Sequence, residues 1–247
     1  MKKHIPNLLT LANLVCGVMA AYQAALGWWH RAAVLMVAGI LFDFLDGFAA
    51  RLLKVQSPMG KELDSLADVV TSGVVPGLIL YTILRISRFG IGMDNPVYWM
   101  RYAGFLIPAF AAYRLAKFNL DTRQTHSFLG LPAPSNALIW AAIGTCAFHP
   151  DWAQVALLPI PGIRNILLSN AGLVGLVALS LVTDVLMVSE LPMMSLKFTS
   201  FGFKENYLKY ILLAGAAILI VLFGILGIAF AILWYILLSL LTQKRNA

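Results

Sequence analysis

The chain is organised as long apolar runs separated by short polar or charged segments. Crossing the hydrocarbon layer takes roughly 20 apolar residues in a helix. The first run covers about 8–26, and the last, 207–241, is long enough for two helices that turn near Gly224 and Gly227. Between them lie five further runs, at 31–53, 64–84, 97–118, 133–149 and 166–188. The pattern predicts an all-α, polytopic transmembrane bundle of about eight spans.

Composition supports a location in the membrane. Hydrophobic residues make up 60% of the chain and charged residues 12%, with a mean hydropathy of +0.83, which leaves too little polar surface for a soluble protein. The basic start at 1–4 precedes an apolar run without a small-residue cleavage site, so this run is predicted to be a span and not a signal peptide. Cys16 and Cys146 lie in apolar runs, which excludes a disulfide framework and a paired-cysteine metal site.

The distribution of positive charge predicts the orientation. Most of the 18 lysines and arginines fall in loops on the side of the N-terminus when eight spans are laid out. The positive-inside rule then places this side and both termini in the cytoplasm. The net charge of +7 is thereby explained without nucleic acid, although it also attracts anionic lipid. We expect a multi-pass cell-membrane protein with a six-helix core at 1–204 and a hairpin at 205–247.

Carboxylates inside the second and third spans are the main candidates for chemistry. Asp43, Asp46, Gly47 and Ala50 are spaced i, i+3, i+4 and i+7, which places them on one helix face. The third span carries a similar stripe at i, i+4 and i+8, formed by Gly60, Asp64 and Asp68. Because the connecting turn is short, the two helices are antiparallel neighbours and their acidic faces converge near the cytoplasmic boundary.

Four converging carboxylates repel one another in a low dielectric, so they predict a bound cation. An oxygen-only ligand set suits Mg²⁺ or Mn²⁺, which also bind phosphate oxygens of a substrate. Gly47, Ala50 and Gly60 would allow a flat group such as a nucleotide base to approach the helices closely. Arg51 can bind phosphate with two N–H groups.

Two other interpretations remain open from spacing alone. Carboxylates and small residues inside spans also serve helix packing and pairing. Alternatively, the aspartates could bind the ion of a cation-coupled transporter. Gly47, Ala50, Arg51 and Gly60 distinguish these cases, because a nucleotide site needs such residues and a bare ion site does not.

The sequence DFLDGFAAR at 43–51, followed by GKELDSLAD at 60–68, resembles the complete signature of the CDP-alcohol phosphotransferases. Four further segments resemble the membrane-integral phosphatidylserine synthase branch of that family: IPNLLTLANL at 5–14, RLAKFN at 114–119, GLP at 130–132 and LMVS at 186–189. The resemblance covers about 5–204. It implies transfer of the phosphatidyl group from CDP-diacylglycerol to L-serine with release of CMP, and the alternative is a sibling with another acceptor or donor lipid.

The resemblance also implies roles for individual residues. Two divalent ions would be held by Asp43, Asp46 and Asp64 with Asp68 nearby, and Asp68 would act as general base for the serine hydroxyl. Asn7, like Thr10 and Asn13, would bond the cytidine or pyrophosphate, unless these groups cap or pair helices.

The acceptor side is less closely defined by the resemblance. Arg114, Lys117 and Glu62 are candidates for the serine pocket, although the two cations could equally anchor a helix at the interface or attract lipid phosphate. The final hairpin carries no matching motif, and we expect it to serve packing or contact in a homodimer.

Overall fold

The computed structural model describes residues 4–55, 57–86, 96–120, 128–149, 156–158, 160–194 and 202–243. Several basic residues used to predict the orientation lie outside the described residues, namely Lys2, Lys3, Arg88, Arg123, Lys197, Lys244 and Arg245. The prediction of an all-α membrane bundle is confirmed. Five described helices are long and apolar enough to cross a membrane: Ile5–Ala25, Trp29–Leu53, Pro58–Ile86, Asn170–Val188 and Asn206–Phe223.

The first three rods contain the acidic motif. They are α1 (Ile5–Ala25), α2 (Trp29–Leu53) and a rod that comprises α3 (Pro58–Asp68), a π-helical segment (Val69–Val74) and α4 (Val75–Ile86). The second rod ends where Lys54 adopts a left-handed conformation with φ of 53°. The third begins at Ser57, whose hydroxyl accepts a hydrogen bond from the Gly60 amide at 3.0 Å, and Pro58 follows at the first helical position. A short turn therefore makes α2 and α3 an antiparallel hairpin.

The other described residues are also mainly helical, and one short strand pair lies among them. The fourth predicted span is composed of α5 (Pro96–Met100), a 3₁₀ segment (Arg101–Phe105) and α6 (Leu106–Leu120). The remaining elements are β1 (Phe128–Leu129), α7 (Ala133–Phe148), α8 (Ile163–Leu167), α9 (Asn170–Val188), β2 (Pro192–Met193), α10 (Phe203–Phe223) and α11 (Leu226–Gln243). The two strands pair antiparallel, with Phe128 opposite Met193.

The apolar core is centred on α7. This helix is buried on nearly all sides, with Ile139 and Trp140 fully enclosed, and it packs against α2, α4 and α11. By contrast, α10 packs mainly on α11 and exposes residues such as Ile218 and Val221, which is the pattern of a lipid-facing helix. The division at residue 204 stays a prediction, although α11 packs directly on the core helix α7.

A hydrogen bond inside this core links α2 to α4, and its removal tests how these two helices pack. The Trp29 indole N–H donates to the Thr82 hydroxyl at 2.7 Å, and both residues are buried. Because Thr82→Val leaves the indole without this acceptor, we expect it to destabilise the protein by about 1 kcal/mol. The measurement is the unfolding temperature of the detergent-solubilised protein.

Thr145→Val is the matched control for this substitution. The Thr145 hydroxyl is also buried, but among the described residues it donates to the Ala141 carbonyl of its own helix, at 2.8 Å, and not to another helix. The Thr145 variant should therefore unfold close to the wild-type temperature. Equal shifts in the two variants would contradict the proposed contribution of the bond between helices.

Candidate active site

The α2–α3 hairpin brings three carboxylates into one cluster. Oxygen atoms of Asp43, Asp64 and Asp68 all lie within 4.8 Å of one another. Asp43 and Asp64 are half-buried, whereas Asp68 is buried at the end of α3. The i, i+4 spacing of Asp64 and Asp68 places both on the side of α3 that faces α2. The convergence expected from the sequence is present for these three residues.

Asp46 lies beside this cluster but has a different partner. Its carboxylate is buried and accepts a hydrogen bond from the Thr10 hydroxyl of α1. The Thr10 hydroxyl also lies 3.1 Å from the Pro6 carbonyl oxygen. The three-carboxylate cluster thus contains Asp68 and not Asp46, whereas the family resemblance implies Asp46 as a metal ligand with Asp68 nearby. Assignment of Asp46 to a metal stays a prediction.

The three-carboxylate cluster fits a divalent cation. Asp64 Oδ1 is buried and has no hydrogen-bond partner among the described residues. Within the same part of the chain, no lysine or arginine forms a salt bridge to these aspartates. Buried carboxylate oxygens without donors need a counter-charge, and an all-oxygen ligand set suits a hard cation. The cluster could therefore bind a metal ion.

A cavity of about 620 Å³ opens next to the cluster, and Asp64 belongs to both. It lies between the start of α1 and the ends of α2 and α3 that the short turn joins. All residues predicted to contact the CDP-lipid except Asn13 line this cavity, as does the motif aspartate Asp46; they are Asn7, Thr10, Gly47, Ala50, Arg51 and Gly60. The cavity is of the size of pockets that hold small organic ligands. The arrangement therefore combines a cation site with a ligand pocket.

The two motif glycines of the cavity have different surroundings. A Cβ atom added at Gly47 would have only Arg51 Nη1 within 4 Å, at 3.7 Å, so this position faces open space. A Cβ atom at Gly60 would lie 3.1 Å from Ser57 Oγ and 3.3 Å from Asn7 Oδ1. Gly60 thus also permits the close approach of α1 to the start of α3. The sequence did not predict this packing role for Gly60.

Six residues that line this cavity were not predicted for the site: Pro6, Val55, Ser57, Pro58, Lys61 and Phe118. The Lys61 ammonium donates to the Asn119 carbonyl at 2.8 Å, and the Asn119 amide donates to Ser65 Oγ at 2.8 Å. These bonds connect α3 to α6. For Lys61 and Phe118 the available signal was adjacency in sequence, since they follow the predicted residues Gly60 and Lys117.

Of the three residues predicted for the acceptor pocket, Arg114 and Lys117 line one small cavity and Glu62 lies elsewhere. Arg114 is buried, close enough to Asp68 for an attractive electrostatic interaction, and its Nε has no hydrogen-bond partner among the described residues. Lys117 Nζ forms a salt bridge with Glu190 Oε1 at 3.2 Å. Both cations line a second cavity with Phe118 and residues of α9, and its volume is only about 10 Å³, room for about one water molecule. Glu62 is exposed and lines neither cavity.

The structure also shows a fifth carboxylate inside the bundle that was missed. Asp184 of α9 is completely buried and accepts a hydrogen bond from Ser180 Oγ at 3.2 Å. The signal was present, because a lone acid inside an apolar run is costly. Asp184 lies alone on its helix, so the spacing pattern that marks the four motif aspartates does not include it.

Comparisons with known proteins identify relatives of this chain. The sequence model of the CDP-alcohol phosphatidyltransferase family matches residues 3–177. The CDP-diacylglycerol–serine O-phosphatidyltransferase of Bacillus subtilis is 32% identical over 173 residues, which cover 66% of this chain and 92% of the relative. The protein of that name from Helicobacter pylori strain J99 is 38% identical over 136 residues, which cover 54% of each chain.

An archaeal relative, the archaetidylserine synthase of Methanothermobacter thermautotrophicus, is 30% identical over 157 residues, which cover 62% of this chain and 63% of the relative. The chain thus spans nearly the whole Bacillus relative and about half of the Helicobacter one. All four motif aspartates lie within the family match. Because this match covers well over half of the sequence, the chain belongs to the CDP-alcohol phosphatidyltransferase family.

Proposed function

We propose that this protein transfers the phosphatidyl group from CDP-diacylglycerol to the hydroxyl of L-serine and releases CMP. The observation that carries the proposal is the carboxylate cluster of Asp43, Asp64 and Asp68 opening into the cavity beside it. A bare ion pathway does not need a cavity with Gly47 and Ala50 in its wall, so this geometry favours a transferase over a transporter. The names of the bacterial relatives support serine as the acceptor.

The cavity of about 620 Å³ is the proposed site for the cytidine and pyrophosphate of the donor lipid. Gly47 and Ala50 provide the flat surface against which the base lies. The exposed Arg51 and the Asn7 side chain provide donors for phosphate oxygens. Since the cavity lies at the end of apolar helices, the acyl chains can stay in the bilayer while the head group enters the protein.

The cluster of Asp43, Asp64 and Asp68, with Asp46 beside it, is the proposed site for Mg²⁺ or Mn²⁺, two ions in all. When bound, these ions neutralise negative charge on the pyrophosphate and on the departing CMP. The protein holds Asp46 in place through Thr10. The carboxylates therefore act as fixed ligands, already oriented before the substrate arrives.

Asp68 is the proposed general base. It takes the proton from the serine hydroxyl, whose oxygen forms a new bond to the β-phosphorus that carries diacylglycerol. The bond between that phosphorus and the bridging oxygen breaks, and CMP leaves with the electron pair. Burial of Asp68 keeps bulk water away from this step, which favours serine over hydrolysis.

Arg114 is the proposed partner of the serine carboxylate. It is buried, its Nε–H has no hydrogen-bond partner among the described residues, and its charge acts on Asp68, so a serine bound to it would lie near the base. Because the cavity beside it has a volume of about 10 Å³, side chains there must move aside to admit serine. Lys117 and Glu190 form an ion pair beside the same small cavity and would contribute at its edge. Glu62 stays a candidate for the serine ammonium or for lipid phosphate, on an exposed face of α3.

The proposed setting is the cell membrane, with the active site and both termini on the cytoplasmic side. The positive-inside bias supports this orientation. We further propose a homodimer and a division into a core at 1–204 and a hairpin at 205–247. The exposed apolar surface of α10 supplies surface for lipid or for a second copy.

The reaction is tested with purified protein, CDP-diacylglycerol and a panel of alcohols, with CMP release as the readout. Release should depend on L-serine, should stop in EDTA and should return with Mg²⁺ or Mn²⁺, because carboxylates alone cannot balance the charge of the pyrophosphate. Glycerol phosphate and inositol phosphate are the control acceptors. A preference for either control would replace the acceptor, and full activity in EDTA would contradict the cation site.

The donor cavity is tested with Gly47→Leu. The new side chain would project into open space in the cavity, so the protein should fold while CDP binding, measured by calorimetry, is lost. Gly175→Leu is the matched control, because a Cβ atom there has nothing within 4 Å and Gly175 is not among the cavity residues. Normal CDP binding by the Gly47 variant would mean that the nucleotide lies elsewhere.

The acceptor site is tested with Arg114→Gln. Loss of a hydrogen-bonded ion pair should raise the KM for serine by about tenfold or more, and the KM for CDP-diacylglycerol should stay nearly constant. Lys117→Gln is the control, since this cation is already paired with Glu190, and we expect a smaller effect. If only the lipid KM responds to Arg114→Gln, the residue binds lipid phosphate and not serine.

A further inference from the structure

Two buried hydrogen bonds connect the π-helical segment to Asp68. The Thr71 hydroxyl donates to Asn13 Oδ1 at 2.7 Å, and Asn13 Nδ2 donates to Asp68 Oδ1 at 3.2 Å. Thr71 and Asn13 are fully buried and Asp68 nearly so. From the sequence, Asn13 was a candidate for a contact with the cytidine or pyrophosphate, or for helix pairing. In the structure Asn13 does not line the donor cavity.

Close helix packing brings these side chains together. Around Thr71, α1 and α2 both present glycine to the π-helical segment. A Cβ atom at Gly39 would lie 2.8 Å from Thr71 Cγ2 and 2.9 Å from Asn13 Oδ1, and one at Gly17 would lie 3.2 Å from Thr71 Cα. Any larger residue at these positions would push Thr71 away from Asn13. The polar contact therefore depends on three helices meeting at one level.

The direction of the two hydrogen bonds from Thr71 through Asn13 to Asp68 follows from the chemistry of the Asn13 amide. Asn13 offers one carbonyl acceptor and one NH₂ donor. When Thr71 donates to the carbonyl oxygen, the NH₂ group must point the other way, towards the Asp68 carboxylate. The flipped amide would place its oxygen against a carboxylate oxygen and would be repelled. Thr71 thus determines which end of Asn13 faces Asp68.

We propose that Thr71 and Asn13 are positioning residues for Asp68. Asn13 holds the carboxylate in the orientation that keeps it beside Asp43 and Asp64, and Thr71 acts only through Asn13. Neither residue touches substrate. The inference rests on the proposed function, in which Asp68 is the base next to the cation site. Hydrogen-bond partners of this kind typically contribute 10- to 100-fold to metal affinity or activity.

Thr71→Val is the main test, because valine has nearly the same shape and keeps the packing against Gly17 and Gly39 while removing the hydroxyl. We expect kcat to fall by about 10-fold or more with little change in the KM for CDP-diacylglycerol. Thr71→Ser keeps a hydroxyl and should restore most of the lost kcat. Folding of each variant is checked by its unfolding temperature.

Ser72→Ala is the matched control. Ser72 is the next residue of the same π-helical segment and is equally buried, but its hydroxyl has no hydrogen-bond partner among the described residues. Its removal should leave kcat within about twofold of wild type. If kcat falls equally in Thr71→Val and Ser72→Ala, the loss comes from packing and the proposal is overturned.

Mn²⁺ binding supplies a readout that does not depend on turnover. Electron paramagnetic resonance of added Mn²⁺ should show weaker binding to Thr71→Val than to wild type, with Ser72→Ala unchanged. In an Asn13→Ala background, Thr71→Val should have no further effect on binding or kcat, because the amide that links Thr71 to Asp68 is gone. The Thr71 hydroxyl then keeps only the main-chain carbonyl of residue 13, at 3.3 Å, which does not contact Asp68. Additive losses, or unchanged Mn²⁺ binding together with unchanged kcat, would overturn the inference. Wild-type protein that releases no CMP would instead refute the proposed function.

Discussion

Repulsion among carboxylates packed together at the membrane boundary is the constraint on which the rest of the structure depends. Asp43, Asp64 and Asp68 share one cluster, and each loses hydration that water would otherwise provide. The α2–α3 turn, where the Ser57 hydroxyl caps the start of α3, keeps the two helices adjacent and the carboxylates together. A cluster with this charge could bind a cation. The geometry that is costly for the fold is thus the geometry that supports the proposed site.

The first helix is the element that organises the motif. It contributes no residue to the family signature, yet Thr10 bonds Asp46 and Asn13 bonds Asp68. One face of α1 therefore supports an aspartate from each helix of the hairpin. Asn7, one turn before Thr10, reaches the donor cavity from the same helix. A single rigid rod thereby sets the relative positions of the cation cluster and the ligand pocket.

Sequence periodicity was sufficient to predict the hairpin and its acidic faces, because side chains three and four residues apart share a helix face whatever lies around them. It could not predict the π-helical segment after Asp68, which changes the helical register and depends on packing against α1 and α6. The Lys117–Glu190 ion pair likewise joins residues far apart in the chain. Pairing of Asp46 with Thr10 and of Asp68 with Asn13 needed the crossing geometry of three helices.

The two cavities of the proposed site are lined by different segments of the sequence. Phe118 lines both of them, but the residues of the donor cavity all lie within the family match at 3–177. The small cavity beside Arg114 is closed by Met187, Val188 and Ser189, which follow that match. The next segment is held by α11, where Tyr235 donates to the Met194 carbonyl at 3.1 Å and Ser239 accepts from its amide at 3.2 Å. If the proposed roles of the two cavities hold, residues 187–189 beside Arg114 can change without disturbing the carboxylate cluster, because they lie at the end of a different helix from those of the aspartates.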